Sequence, residues 1–98
     1  MDYSKLSDFE INRRVFSLVM NGRDWNRQGS EVFDFCNNPD DAWPIILSNR
    51  ISMIWDCSED ANSEWWNAVD QFDECRIQYQ SNPLRAAMIV FLMMQESK

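Results

Sequence analysis

The strongest pattern in the chain lies near its C-terminus, where nine consecutive residues from Ala86 to Met94 are apolar. Asn82 and Pro83 stand just ahead of them. Asn82 is a good N-cap, and Pro83 suits the first helical position, where a missing N–H costs nothing. A helix with a polar back needs cover on one side; one that is apolar all round must be covered all round. The run is therefore predicted to form a central C-terminal helix, buried by a sheet, another helix or a second subunit. A helix of about fifteen residues spans roughly 22 Å, short of the ~20 apolar residues of a membrane crossing.

Upstream, Ser7-Asp8-Phe9-Glu10 is a capping box, with Leu6 and Ile11 at the staple positions on either side. Ile11, Val15, Leu18 and Val19 follow at i, i+4, i+7 and i+8, the apolar stripe of an amphipathic helix that Asn21-Gly22 would end. Arg23 to Ser30 reads as a loop holding Trp25, and Val32 to Phe35 as a short strand by its aromatic and β-branched content. Asn38-Pro39-Asp40-Asp41 is a second cap-plus-proline start, its acids suited to the positive end of a helix. That helix is expected to reach about Ser48, with Asn49 as terminator and Pro44 forcing a kink or an irregular first turn. Ile51 to Trp55 and Trp65 to Val69 read as hairpin partners. Arg76 to Gln80 alternates, which places Ile77 and Tyr79 on one face.

These elements give the order α-β-α-β-β-β-α over one domain, residues 1–98. The fold class is α+β: a small, mainly antiparallel sheet of three to four strands with helices packed on it. One sheet face should be buried and the other wet. The second face of the C-terminal helix must meet the N-terminal helix or another copy, so a homodimer through that helix is one expectation.

Composition narrows the chemistry. With 98 residues, 45% hydrophobic content and five tryptophans, most large apolar side chains are needed for a core. The N-terminus has no basic segment leading into an apolar run, so no secretory signal is read there. The three cysteines, Cys36, Cys57 and Cys75, are odd in number and form no C-x-x-C pair, which fits reduced structural thiols. No histidine is present, which removes Ser-His and Cys-His nucleophile pairs and the usual zinc ligand sets. No catalytic residue, metal or cofactor is expected.

The net charge of −7 is concentrated in one segment, which holds Asp56, Glu59, Asp60, Glu64, Asp70, Asp73 and Glu74 without a Lys or Arg; the remaining chain is balanced at nine acids and nine bases. The blunt explanation is a solvated loop and strand edge kept apart from other edges by charge. The sharper one is a negative surface for a basic partner. The basic footprint of direct nucleic-acid binding is missing.

Arg85 occupies the third position of the terminal helix, where a cation opposes the helix dipole. A salt bridge to Asp40, Asp41 or another acid would explain it. Alternatively, Arg85 and the free N–H groups of the helix start would hold a phosphate or carboxylate, with Arg50 or Arg76 assisting. If the two Asn-Pro caps lie close in space, Asn37, Asn38, Asp40, Asp41, Asn82 and Arg85 form one polar cluster. Trp43 would be its aromatic floor or part of the core.

Three segments taken together resemble the NinX-like family of lambdoid phage and prophage proteins. They are Asp2-Tyr3-Ser4-Lys5-Leu6-Ser7-Asp8-Phe9-Glu10-Ile11-Asn12, Cys36-Asn37-Asn38-Pro39-Asp40-Asp41-Ala42-Trp43-Pro44-Ile45-Ile46 and the closing Asn82 to Gln95. They span somewhat under half of the chain, in order. More distantly, Pro39 to Ile46 with the capped C-terminal helix is similar to small phage proteins described as an alpha-beta-alpha sandwich. The resemblance implies a small early-region phage protein of that sandwich fold in the cytoplasm of a bacterial host, with no activity assigned. It favours an interaction protein that binds and modulates a host factor or host defence, with Trp25 or Trp65 as exposed aromatics. The alternatives are a protein that sequesters a small anionic, nucleotide-like ligand and, more weakly, an acidic DNA mimic.

Overall fold

The computed structural model describes residues 2–20 and 33–97, Met20 by its backbone alone. A 3-10 turn at Tyr3–Lys5 leads into helix α1 (Asp8–Met20); α2 (Pro39–Asn49), β1 (Ser52–Cys57), β2 (Glu64–Val69), β3 (Arg76–Gln80) and α3 (Pro83–Glu96) follow. The strands form one antiparallel sheet in the order β1-β2-β3. The fold is α+β, in the order α-α-β-β-β-α among the described residues.

The α3 start forms as its sequence dictates: the Asn82 side chain accepts from the N–H groups of Leu84 and Arg85, and Pro83 sits in the first turn. Every residue from Ala86 to Leu92 is then buried. The sheet covers one side of α3, and α1 and α2 cover the other. Among the described residues, the sheet, α3 and the pair α1 and α2 follow one another. Leu84, Met93 and Met94, at the two ends of the run, are half-buried.

The strand expected from Val32 to Phe35 is absent over its described part. Phe35 opens a turn in which the N–H groups of Asn37 and Asn38 donate to the Asp34 carbonyl at 3.2 and 2.7 Å. The aromatic content there serves burial rather than pairing: Phe33 stacks on Phe35 and packs on Phe16, with centroids 5.5 and 5.6 Å apart. Val32, the Asn21-Gly22 stop and the Trp25 loop lie outside the described residues.

Helix α1 begins on its capping box, the Ser7 hydroxyl accepting from the Glu10 N–H at 3.1 Å. Its buried stripe is Ile11, Asn12, Val15 and Phe16, whereas Leu18 and Val19 are exposed. The stripe has rotated toward Asn12 because that side chain is hydrogen-bonded to the 34–36 turn. Helix α2 is continuous across Pro44. Both Asp40 and Pro44 are exposed, so the carbonyl that Pro44 deprives of a partner can be hydrated. The α2 terminator is Arg50, one residue later than expected, in the left-handed conformation at φ 53°. Its N–H bonds to the Leu47 carbonyl while the Ile51 N–H reaches Ile46, the paired bonds of a Schellman end.

In the sheet, Ala68 lies between Met53 and Ile77 on the face toward α3. The β2–β3 ladder then slips: Ala68 pairs with Ile77 but Trp66 with Gln80, so Gln78 and Tyr79 both oppose Asn67. This bulge overturns the expectation that Ile77 and Tyr79 share a face. Tyr79 adopts φ 62°, and its ring rests on Trp65 of the outer face at 5.0 Å. A bulge re-aims side chains in this way by placing two residues against one.

Because Ile89 is fully buried in the central helix, Ile89→Ala should destabilise the protein by about 2–5 kcal/mol. Urea denaturation monitored by tryptophan fluorescence would measure it; a loss below about 1 kcal/mol would mean that α3 is not the tightly packed centre.

Candidate functional site

The two Asn-Pro caps do come together, and they do so at the convergence of three helix starts. Asn82 donates through Nδ2 to the Cys36 carbonyl and to Asn37 Oδ1, the latter at 2.9 Å. Asn37 Nδ2 in turn donates to Asp34 at 3.1 Å and to Asp8 Oδ2 at 3.3 Å. Asn12 Nδ2 donates to Asp34 Oδ1 at 2.9 Å, and Asn12 Oδ1 accepts from the Cys36 N–H at 3.0 Å. Asp41 accepts the Asp34 N–H at 3.0 Å, and Asn38 caps α2 through the Asp40 N–H.

Arg85 lies at the centre of this cluster, and its partner acid is Asp8 rather than Asp40 or Asp41. Nη1 meets Asp8 Oδ1 at 2.6 Å, Nε donates to Gln80 Oε1 at 3.2 Å, and Nη2 donates to the Ser4 and Leu6 carbonyls at 3.0 and 2.8 Å. A guanidinium has five N–H donors, and four of the resulting directions are taken by the protein itself. The side chain is only 14% exposed. The cation that opposes the α3 dipole is thus a clasp holding the N-terminal segment against the end of β3 and the start of α3. The anion-site alternative loses its main donor. Asp8, Asp34, Asp40 and Asp41 also crowd these helix starts with negative charge, which an anionic ligand would have to overcome.

The other proposed members do not join in. Trp43 is 50% exposed, like its neighbours Pro44 and Leu47 on the outer side of α2, so it is not core. Arg50 caps the opposite end of α2, and Arg76 pairs with Asp73 at 3.5 Å. The sequence reading missed Asp8, Asn12, Asp34 and Gln80. Asn12 left a trace: it sits beside Ile11 and four residues before Phe16, a polar residue on an apolar stripe.

The seven acids of the 56–74 segment do not form one surface. Asp70 is buried and accepts from the N–H groups of Glu74 and Cys75 at 2.7 and 3.0 Å, which shapes the β2–β3 connection. Asp60 organises the β1–β2 connection, accepting from the Ser58 hydroxyl and both nitrogens of Asn62. Those bonds hold its carboxyl below the usual range. Asp56, Glu59, Glu64, Asp73 and Glu74 are exposed. Among the described residues, no group of three or more His, Cys, Asp or Glu is placed to hold a metal ion.

A family model described as Bacteriophage P22, NinX matches residues 2–95. The chain belongs to this NinX family. No curated protein and no solved structure matches it. The match spans all three segments that carried the resemblance, and two of those segments begin the helices whose caps meet in the polar cluster.

Cys36 shares that environment. Burial first, and then the negative charge of Asp8, push its thiol up to about 12 from an ordinary 9.0, with Arg85 opposing. A raised thiol pKa favours the folded state below the unfolded value and loses that contribution as pH climbs through the folded one. The stability advantage of the native protein over its Cys36→Ala variant should therefore shrink between pH 9 and about 12, measured by chemical denaturation at each pH. An advantage unchanged across that window would mean that Cys36 ionises equally in both states.

The clasp makes a second prediction. Arg85→Met removes the ion pair to Asp8 and leaves two carbonyls without their donor, and should cost about 1–3 kcal/mol in denaturation experiments, with Arg85→Lys recovering part of it. A loss of under about 0.5 kcal/mol would show that the clasp is not holding the N-terminal segment.

Proposed function

We propose that this member of the NinX family is a phage-encoded accessory protein of the host cytoplasm that acts by non-covalent binding to a host protein and so modulates a host factor or defence. The observation that carries the reading is a contrast between two parts of the molecule. The polar groups that a small-molecule site would need are consumed in internal bonds around Arg85. Meanwhile Ile54, Trp55 and Tyr79 of the sheet are exposed. Large apolar groups left on a surface suit recognition of another macromolecule. Among the described residues no helix is long and apolar enough to cross a membrane.

The acidic alternative, a DNA mimic, is weakened by the internal roles of Asp60 and Asp70. Affinity capture from a bacterial host lysate tests the main reading. Immobilised protein should retain a discrete host partner at low salt that an unrelated protein of equal net charge does not, with retention falling as ionic strength rises. Retention no different from the charge-matched control would overturn it.

A further inference from the structure

Tyr79 is the one aromatic residue among the described positive-φ residues, and yet it is 69% exposed. Its backbone N–H is held by Asn67 Oδ1 at 3.2 Å, and its ring lies 5.0 Å from that of Trp65. On the same outer face Asp56 stands directly opposite Trp65, and Ile54 opposite Asn67. Glu64, paired with Cys57 at the end of the hairpin, alternates to the opposite face. No Lys or Arg occurs from Ile51 to Cys75. The outer face near the β1–β2 turn is therefore an aromatic pair with an aliphatic neighbour and the Asp56 carboxylate; the Arg76 of β3 stands opposite Val69 at the far end of the sheet, where it pairs with Asp73.

We propose that this face docks a cationic, arginine-rich segment of the partner protein. Charge complementarity selects that occupant. A guanidinium can lie over an indole or phenol ring while its N–H groups reach a carboxylate. Asp56 beside Trp65 offers both at one place. An acidic or purely apolar segment would leave Asp56 opposed or unpaired at the contact. A second copy of this chain would bring carboxylate against carboxylate. The proposal rests on the protein-binding function above and specifies its surface and the chemistry of what is bound.

The test uses a fluorescein-labelled peptide of alternating arginine and glycine, with a glutamine-for-arginine peptide as control, read by fluorescence anisotropy at low and high salt. The wild-type protein should bind the arginine peptide and not the control. Tyr79→Gly should weaken binding about tenfold or more, while leaving the melting temperature unchanged or higher, because glycine accepts the positive φ without a ring. Asp56→Asn should weaken binding and flatten its salt dependence. Equal binding by wild type and Tyr79→Gly would overturn the proposal, as would equal binding of both peptides or no binding by folded protein. Host-lysate capture by Tyr79→Gly separates the two readings: a partner retained undiminished by the variant sinks this surface and leaves the binding function standing. A wild-type protein that captures nothing removes the function itself.

Discussion

Helix α3 sets the terms for everything around it. Seven consecutive residues, Ala86 to Leu92, are buried in a chain of 98 residues, so cover has to come from two directions at once. The sheet supplies one side, and α1 and α2 the other. Small residues make the close approach possible: Ala86, Ala87 and Ala68 are all buried. The sheet is left with one face for the core and one for solvent, as in other one-sided antiparallel sheets. Its free face is the consequence of spending three helices on each other.

Covering a helix on both sides requires that its end be anchored to both sides as well. Arg85 and Asn82 do this at the first turn of α3. Arg85 ties it to Asp8 and to the carbonyls of Ser4 and Leu6, and also to Gln80 at the end of β3. Asn82 caps the helix with its oxygen and uses its nitrogen to hold the Cys36–Asn37 turn ahead of α2. One amide thus caps and tethers together. At the opposite end of α3, the Tyr3 hydroxyl donates to Glu96 at 2.8 Å, so the N-terminal segment grips both ends of the helix. Burial and the negative charge of Glu96 raise the phenol pKa accordingly.

The elements were legible where local chemistry decides them. The caps at Ser7, Asn38 and Asn82 and the three strands from Ile51 onward were readable because each rests on neighbours in sequence. The Arg85 misfit was readable too, but its partner was not. Asp8 lies 77 residues away, and nothing local ranks it above Asp40 or Asp41. The 33–35 segment failed for a related reason, since aromatic residues meet the needs of a pleated strand and of a buried turn equally well. Asp70 looked like one more surface acid because loop composition does not reveal that two backbone N–H groups close on its carboxylate. Tyr79 failed through register. Alternation assumes a regular ladder, and one extra residue turns a side chain to the other face.

That slip is also where local preference and structure are furthest apart. A bulky residue in the left-handed region costs roughly 1–2 kcal/mol. Arg50 recovers such a cost through two helix-ending hydrogen bonds and the burial of Ile51 behind it. Asp73 lies inside the turn that Asp70 organises, where an acid tolerates the conformation well. Tyr79 has less to show for its strain: one bond from Asn67 and an exposed ring against Trp65. Glycine at that position would keep the hydrogen bond without the strain. A fold needing only the bulge would be better served by glycine, so the phenol ring is the part of Tyr79 that stability does not account for. Strain held at a surface aromatic pair, beside the Asp56 carboxylate, is more economically explained by what the ring contacts than by what it supports.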